Sequence, residues 1–273
     1  MSQCCNSKNE PVYLNFTLKD YIKAFICWLR SFKITYKIEP GLYYTGKSYD
    51  MNAPLLVTSN YLLTVFLLWR VLRQRNIRLL VIDTKGVNVW CSSGKEQFNA
   101  EEIKKQLDRY DSEILGQNDK LKLILPKLSL SGVNLKKLRK YQIVPVIGPI
   151  YRQNIPTYLD ECLYKNCNDE KYHFNLRDRL FTLLPSLTQF SKYLLFYMLG
   201  LFIWDYFKPT GIYWQVLAIG FVVGLLYIIL FPFLFTKNFA IKGFVLGLFL
   251  NIPFWLNYSC FSVSQILFYT LFI

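Results

Sequence analysis

Four short apolar runs, each closing on turn-forming residues, limit what the first two-thirds of this chain can become. Pro54-Leu-Leu-Val57 closes on Thr58-Ser-Asn60, and Arg78-Leu-Leu-Val-Ile82 closes on Asp83-Thr-Lys-Gly86. Leu121-Lys-Leu-Ile-Leu125 closes on Pro126, and Gln142–Ile147 closes on Gly148-Pro149. Short, mostly apolar runs of this kind read as strands, Pro54–Val57 as a buried one. Helical periodicity fills the gaps over Tyr61–Arg73, Val87–Lys95 and Ala100–Arg109, the last opened by Asn99 as N-cap. A further helix is expected over Pro156–Cys162. Another is expected over Leu18–Phe32, with Tyr21, Ile22, Phe25, Ile26 and Leu29 on one face. Its Lys and Arg residues suit a helix packed on the domain or lying against a membrane surface. The alternation predicts an α/β fold with a mainly parallel sheet. Pro145 places the fourth strand at an edge. In such sheets a ligand sits outside the carboxyl ends of the strands. Those ends are 58–61, 83–95, 125–130 and 148–150.

The remaining third is different. From Phe181 to Ile273 the charged residues are Lys192, Asp205, Lys208, Lys237 and Lys242, amid Leu, Phe, Ile and Tyr. Runs of about 20 apolar residues match a bilayer's thickness. Composition therefore predicts a C-terminal transmembrane α-helical bundle, with spans over Leu187–Phe207, Ile212–Phe235 and Phe239–Tyr258 and a partial one over Ser259–Ile273. The expected domains are a tail and amphipathic helix (1–35), an α/β domain (36–180) and a membrane domain (181–273). Lys171, Arg177, Arg179, Lys237 and Lys242 flank one side of the spans and Lys208 the other. That bias predicts a multi-pass protein of the cytoplasmic membrane, its α/β domain facing the cytoplasm. The polar stretch Met1–Glu10 does not read as a signal peptide.

The net charge of +14 lies mostly in the first part of the chain. It is compatible with anionic lipid or an anionic cofactor as partner. Nucleic acid is not expected, because no stacking-aromatic or helix-turn-helix pattern accompanies it. The seven cysteines, Cys4, Cys5, Cys27, Cys91, Cys162, Cys167 and Cys260, form no disulfide framework. They show no four-cysteine cluster pattern either, so no iron–sulfur cluster is expected in this chain. Cys162 and Cys167 lack a second pair at metal-ligand spacing.

The run Asn88-Val-Trp-Cys-Ser-Ser-Gly-Lys95 carries the candidate chemistry. On a helix Asn88, Cys91 and Lys95 share one face, and Trp90 and Gly94 share another. Spacing leaves three readings of Cys91. It is a small buried hydrophobe, a nucleophile, or a soft-metal ligand. A nucleophile needs a base, and the chain's single histidine, His173, stands in Tyr172-His-Phe174 far from the motif.

That run resembles the cap-helix motif of the HgcA-type membrane-anchored corrinoid proteins of mercury methylation. These are relatives of the corrinoid iron–sulfur proteins of acetyl-CoA synthesis. Tyr36-Lys-Ile-Glu-Pro-Gly-Leu-Tyr43, Pro54–Tyr61, Leu123–Pro126, Gly148-Pro149 and Leu176-Arg-Asp-Arg-Leu180 resemble further family segments, in the family's order. Ser92 stands where the family carries Ala, and fewer membrane helices are legible. The resemblance implies a Rossmann-like domain with a short cap helix that binds a cobalamin-type corrinoid. It implies that the Cys91 thiolate is the lower axial ligand of cobalt. No Asp-x-His-x-x-Gly corrinoid motif occurs to supply a histidine ligand instead. Asn88, Val89, Trp90, Ser92, Ser93, Gly94 and Lys95 would form the cap around the macrocycle. Thr58, Asn60, Tyr61 and Thr84 would bond its amide edge, and Gly86, Pro126, Gly148 and Pro149 would shape the loops. The implied activity is a corrinoid-dependent methyltransferase passing a methyl group to inorganic Hg(II). A methyl carrier of one-carbon metabolism with another acceptor, and a non-enzymatic membrane ligand-binding protein, are the alternatives. Implied partners are a ferredoxin-like electron donor, a methyl-donor protein or methylated folate, and membrane lipid.

Overall fold

The computed structural model describes residues 10–30, 34–111, 115, 120–162, 175–207, 222, 225–227, 229–230, 233–234 and 238–256. The chain divides into two compact units, Met1–His173 and Phe174–Ile273.

The first unit is built on six strands in the order β1-β2-β4-β3-β5-β6. These are β1 (Val12–Tyr13), β2 (Gly41–Thr45), β3 (Leu55–Ser59), β4 (Ile77–Ile82), β5 (Leu121–Leu125) and β6 (Ile143–Ile147). β3, β4, β5 and β6 are mutually parallel. β2 runs antiparallel to β4, pairing Leu42 with Leu80. The expected four-strand parallel core is therefore present, and β2 and β1 extend it on the β4 side. β6 closes the other side, where Pro145 removes a ladder donor without harm.

The helices that flank the sheet are α1 (Leu18–Leu29), α2 (Leu62–Leu72), α3 (Val89–Gly94), α4 (Ala100–Leu107) and α5 (Leu135–Lys140). Short helical turns cover Lys127–Ser129 and Arg152–Asn154, and the helix expected over Pro156–Cys162 is an α turn at Ile155–Thr157 followed by a π turn at Tyr158–Cys162. Strand alternation sends neighbouring side chains to opposite faces. Leu55, Val57, Leu80, Ile82, Leu121, Leu123 and Leu125 join Phe98, Ile103 and Leu107 in one core. Leu56, Leu79, Val81 and Ile124 join Phe66, Trp69 and Leu72 in the other. From β3 the chain first moves to β4 through α2. It then reverses past β3 to β5 through α3 and α4. Right-handed crossovers require a reversal of direction to switch faces, and the helices do switch. The switch point between β3 and β5 is where an open α/β sheet accepts ligands.

The second unit contains helices over Leu176–Phe207 and Phe239–Leu256. Among the described residues no helix is long and apolar enough to cross a membrane. The expected transmembrane bundle and the multi-pass cytoplasmic-membrane placement are thereby overturned. Leu176–Phe207 has the length, but it takes in Arg177, Asp178, Arg179, Lys192 and Asp205 as well as Pro185. Phe239–Leu256 has 18 residues, which at about 1.5 Å each falls short of a hydrocarbon core of about 30 Å. It also carries Lys242, Asn251 and Pro253. The runs 212–235 and 259–273 lie mostly or wholly outside the described residues.

Phe98 is fully buried at the entrance to α4, and Asn99 beside it caps that helix by accepting from Glu102 N at 2.8 Å. Phe98→Ala removes a large side chain from a filled core. It is expected to cost about 3–5 kcal/mol, measured as the shift in urea midpoint of the full chain.

Candidate functional site at the carboxyl edge of the sheet

Asn60 follows the last residue of β3 and organises this edge. Its Oδ1 accepts from Thr84 N (3.1 Å) and Gly86 N (2.9 Å), and its Nδ2 donates to Asp83 Oδ1 (3.0 Å). The Thr84 hydroxyl donates to Val87 O at 2.7 Å and lies 3.0 Å from Asn60 Oδ1. Asn60 and Thr84 are buried. The turn needs left-handed backbone at Lys85 (φ 57°) and Gly86 (φ 78°). A Cβ on Gly86 would also approach Lys37 Cγ to 2.9 Å. One side chain thus joins the ends of β3 and β4 and sets where α3 starts.

α3 is then fixed from within. The Asn88 side chain caps it, accepting from Cys91 N at 2.9 Å. The Ser92 hydroxyl donates to Asn88 O at 2.6 Å, and the Ser93 hydroxyl donates to Val89 O at 2.8 Å. Val89, Ser92 and Ser93 face the domain. Trp90 is 68 % exposed and Cys91 is half-buried. At Gly94 an added Cβ would meet nothing within 4 Å. Asn88 and Lys95 are the caps, and Lys95 is exposed beyond the last helical residue. The outward side of α3 is therefore a tryptophan, a thiol and a glycine.

The loop after β5 closes the other side. A Cβ on Gly132 would come within 2.6 Å of Ser93 O and 2.8 Å of Phe98 O, so only glycine lets this loop press against the end of α3. Pro126 opens that loop, its carbonyl accepting from Ser129 N at 2.8 Å. Gly148 N donates to Leu125 O at 2.9 Å, and a Cβ there would approach Ile124 Cγ2 to 3.0 Å. Pro126, Gly148 and Pro149 thus end β5 and β6 at the edge that carries α3.

Other expected residues are committed elsewhere. Thr58 is buried within β3. The Tyr61 hydroxyl donates to Cys27 O at 3.2 Å, and burial pushes its phenol far above the ordinary value. Burial likewise pushes the Cys27 thiol up, partly offset by the Tyr36 N–H that it accepts at 3.4 Å. Both groups stay neutral and fasten α1 to the domain. His173, Cys4, Cys5, Cys167 and Cys260 lie outside the described residues.

Asp83, Gly132 and Ser59 were not anticipated. Ser59 Oγ, at the end of β3, is one of two buried side-chain atoms without a hydrogen-bond partner among the described residues; the other is Gln97 Oε1. Ser59 and Asp83 stand in strand-end turns that the sequence marked without singling out either residue, and Gly132, within Ser129-Leu-Ser-Gly132, carried a faint turn signal. Among the described residues no three His, Cys, Asp or Glu side chains converge to chelate an ion. A cavity of about 200 Å³ lined by Tyr110, Leu121, Tyr141 and Ile143 adjoins the first residues of β5 and β6, at the opposite edge.

Part of the chain has a curated relative. Over 79 residues, 28 % of the chain, it is 40 % identical to the acetyl-CoA decarbonylase/synthase complex subunit gamma of Methanopyrus kandleri. The match spans 17 % of that subunit's length. No protein-family model matches the chain. The likeness agrees with the acetyl-CoA synthesis side of the expected kinship and does not single out the mercury-methylation branch.

Asn60→Ala would leave the N–H groups of Thr84 and Gly86 without their acceptor. A loss of about 1–3 kcal/mol per stranded donor is expected, with faster proteolytic nicking at Lys85 as the local readout.

Proposed function

We propose that the first unit is a corrinoid-binding, methyl-carrying domain of one-carbon metabolism, with Cys91 as the protein's ligand to cobalt. The observation that carries it is the outward side of α3, where Trp90, Cys91 and Gly94 stand together at the switch-point edge. The 79-residue likeness to an acetyl-CoA decarbonylase/synthase subunit favours this acceptor class.

The residues suit such a group. A metal held in its own macrocycle would ask the protein for a single donor rather than a chelating set, and a thiolate would be a soft, strong one. Cys91 would supply it. Gly94, with open space around it, would leave room for such a group beside the helix backbone. Trp90 offers an apolar surface that is otherwise costly to expose. Ser92 and Ser93 spend their hydroxyls inside the helix and hold its orientation. The Ser that replaces the family's Ala at residue 92 thus faces the domain and not the side of Trp90 and Gly94. Ser59 Oγ is an uncommitted polar group at the same edge. When bound, the corrinoid supplies a cobalt centre able to take up and release a methyl group. A methyl-donor protein or methylated folate and a ferredoxin-like electron donor are the partners this reading requires.

Inorganic Hg(II) as methyl acceptor is the second reading, and the run Asn88–Lys95 is what favours it. Methyl transfer assayed against Hg(II) and against a one-carbon carrier separates the two.

Purified full-length protein reconstituted with hydroxocobalamin is expected to show a visible spectrum that changes in Cys91→Ala. Retention of an identical spectrum in that variant would sink the thiolate assignment. Trp90→Ala is expected to weaken corrinoid retention severalfold while leaving the unfolding free energy from urea titration unchanged within about 0.5 kcal/mol, as suits an exposed position.

A further inference from the structure

Helix α1 carries apolar residues on an inner side and on an outer one. Its inner side, with Ala24 and Cys27, is buried, and Ala24 shares a core with Phe66 and Trp69 of α2. Tyr21, at the border, sets its ring edge-on against Phe66 (4.8 Å between centroids) and so belongs to that contact. The outer side of the helix presents Leu18, Ile22 and Phe25, spaced i, i+4 and i+7, at 78, 54 and 56 % exposure. A surface helix ordinarily has one apolar stripe, turned inward. A second stripe facing outward marks a second apolar neighbour.

The charges select that neighbour. Lys19, Lys23 and Arg30, at i, i+4 and i+11, line one flank of the outer stripe and are exposed. Asp20 is the helix's one acid, and its carboxylate is occupied by the Thr17 N–H at 2.9 Å and the Thr17 hydroxyl at 2.7 Å. Lys23 lies 3.8 Å from its other oxygen. Lysine is depleted in the cores of protein interfaces. An apolar stripe bordered by Lys and Arg is the pattern of a helix lying in the headgroup plane of a lipid layer. The chain's net charge of +14 adds long-range attraction to an anionic surface.

We propose that the outer side of α1 docks reversibly on anionic lipid. Leu18, Ile22 and Phe25 enter the acyl boundary, and Lys19, Lys23 and Arg30 lie among the headgroups. The helix has 12 residues, about 18 Å, so it lies along the surface and crosses nothing. The proposal is independent of the corrinoid reading.

The test is hydrogen–deuterium exchange of the full chain, read on peptides covering residues 18–29. Adsorption of other apolar segments leaves that local readout untouched. Vesicles of phosphatidylglycerol are expected to slow exchange in α1, and vesicles of phosphatidylcholine are not. Ile22→Ser with Phe25→Ser is expected to abolish the protection. Lys19→Gln with Arg30→Gln should weaken apparent affinity roughly thirtyfold. All four positions are exposed, so both variants should keep the parent's unfolding midpoint. Equal protection by neutral and anionic vesicles, or none by either, overturns the proposal. So does protection that needs no vesicles and fades on dilution, which assigns the face to a second copy of the chain.

Discussion

Asn60 bridges two strand ends that the sequence separates by more than a helix. Its amide oxygen takes the N–H groups of Thr84 and Gly86, and its amide nitrogen reaches Asp83. Everything that follows β4 starts from this node. The left-handed backbone at Gly86 aims the chain back across the edge, and Asn88 then begins α3. An asparagine can do this because it offers both an acceptor and a donor in one plane. Aspartate would lose the bond to Asp83 and set two carboxylates side by side, while leucine would strand the buried backbone donors.

The two faces of the first unit divide the work. On the α2 side, Tyr61 and Cys27 are buried, neutral and devoted to holding α1. On the α3 side, the polar groups serve the edge. Ser92 and Ser93 tie the cap helix to itself, and Gly132 lets the loop after β5 close against it. The single half-buried thiol among them sits at the boundary between packed core and open surface.

Legibility followed range. The strands β3 to β6, the Asn99 cap and the edge position of Pro145 were readable because each is set by neighbours along the chain. The run Asn88–Lys95 was readable as a helix for the same reason. β2 was missed because Gly41–Thr45 is fixed by antiparallel pairing with β4, a partner far along the chain. The roles of Gly132 and Asp83 were missed because their reasons are Ser93, Phe98 and Asn60, which only the fold brings near. The apolar C-terminal third misled in another way. Composition marks apolar windows but not where helices begin, and the first helix of the second unit starts early enough to include Arg177, Asp178 and Arg179.

Six residues are too few for a helix to persist by itself, because nucleation costs more than so few hydrogen bonds return. α3 therefore owes its existence to what surrounds it: an asparagine cap, two serines and a glycine pressed on its end. The position of the Cys91 sulfur is accordingly a property of the sheet's edge rather than of the helix. A different six-residue insert on the same supports would present a different donor, so the scaffold and its chemistry are free to diverge separately.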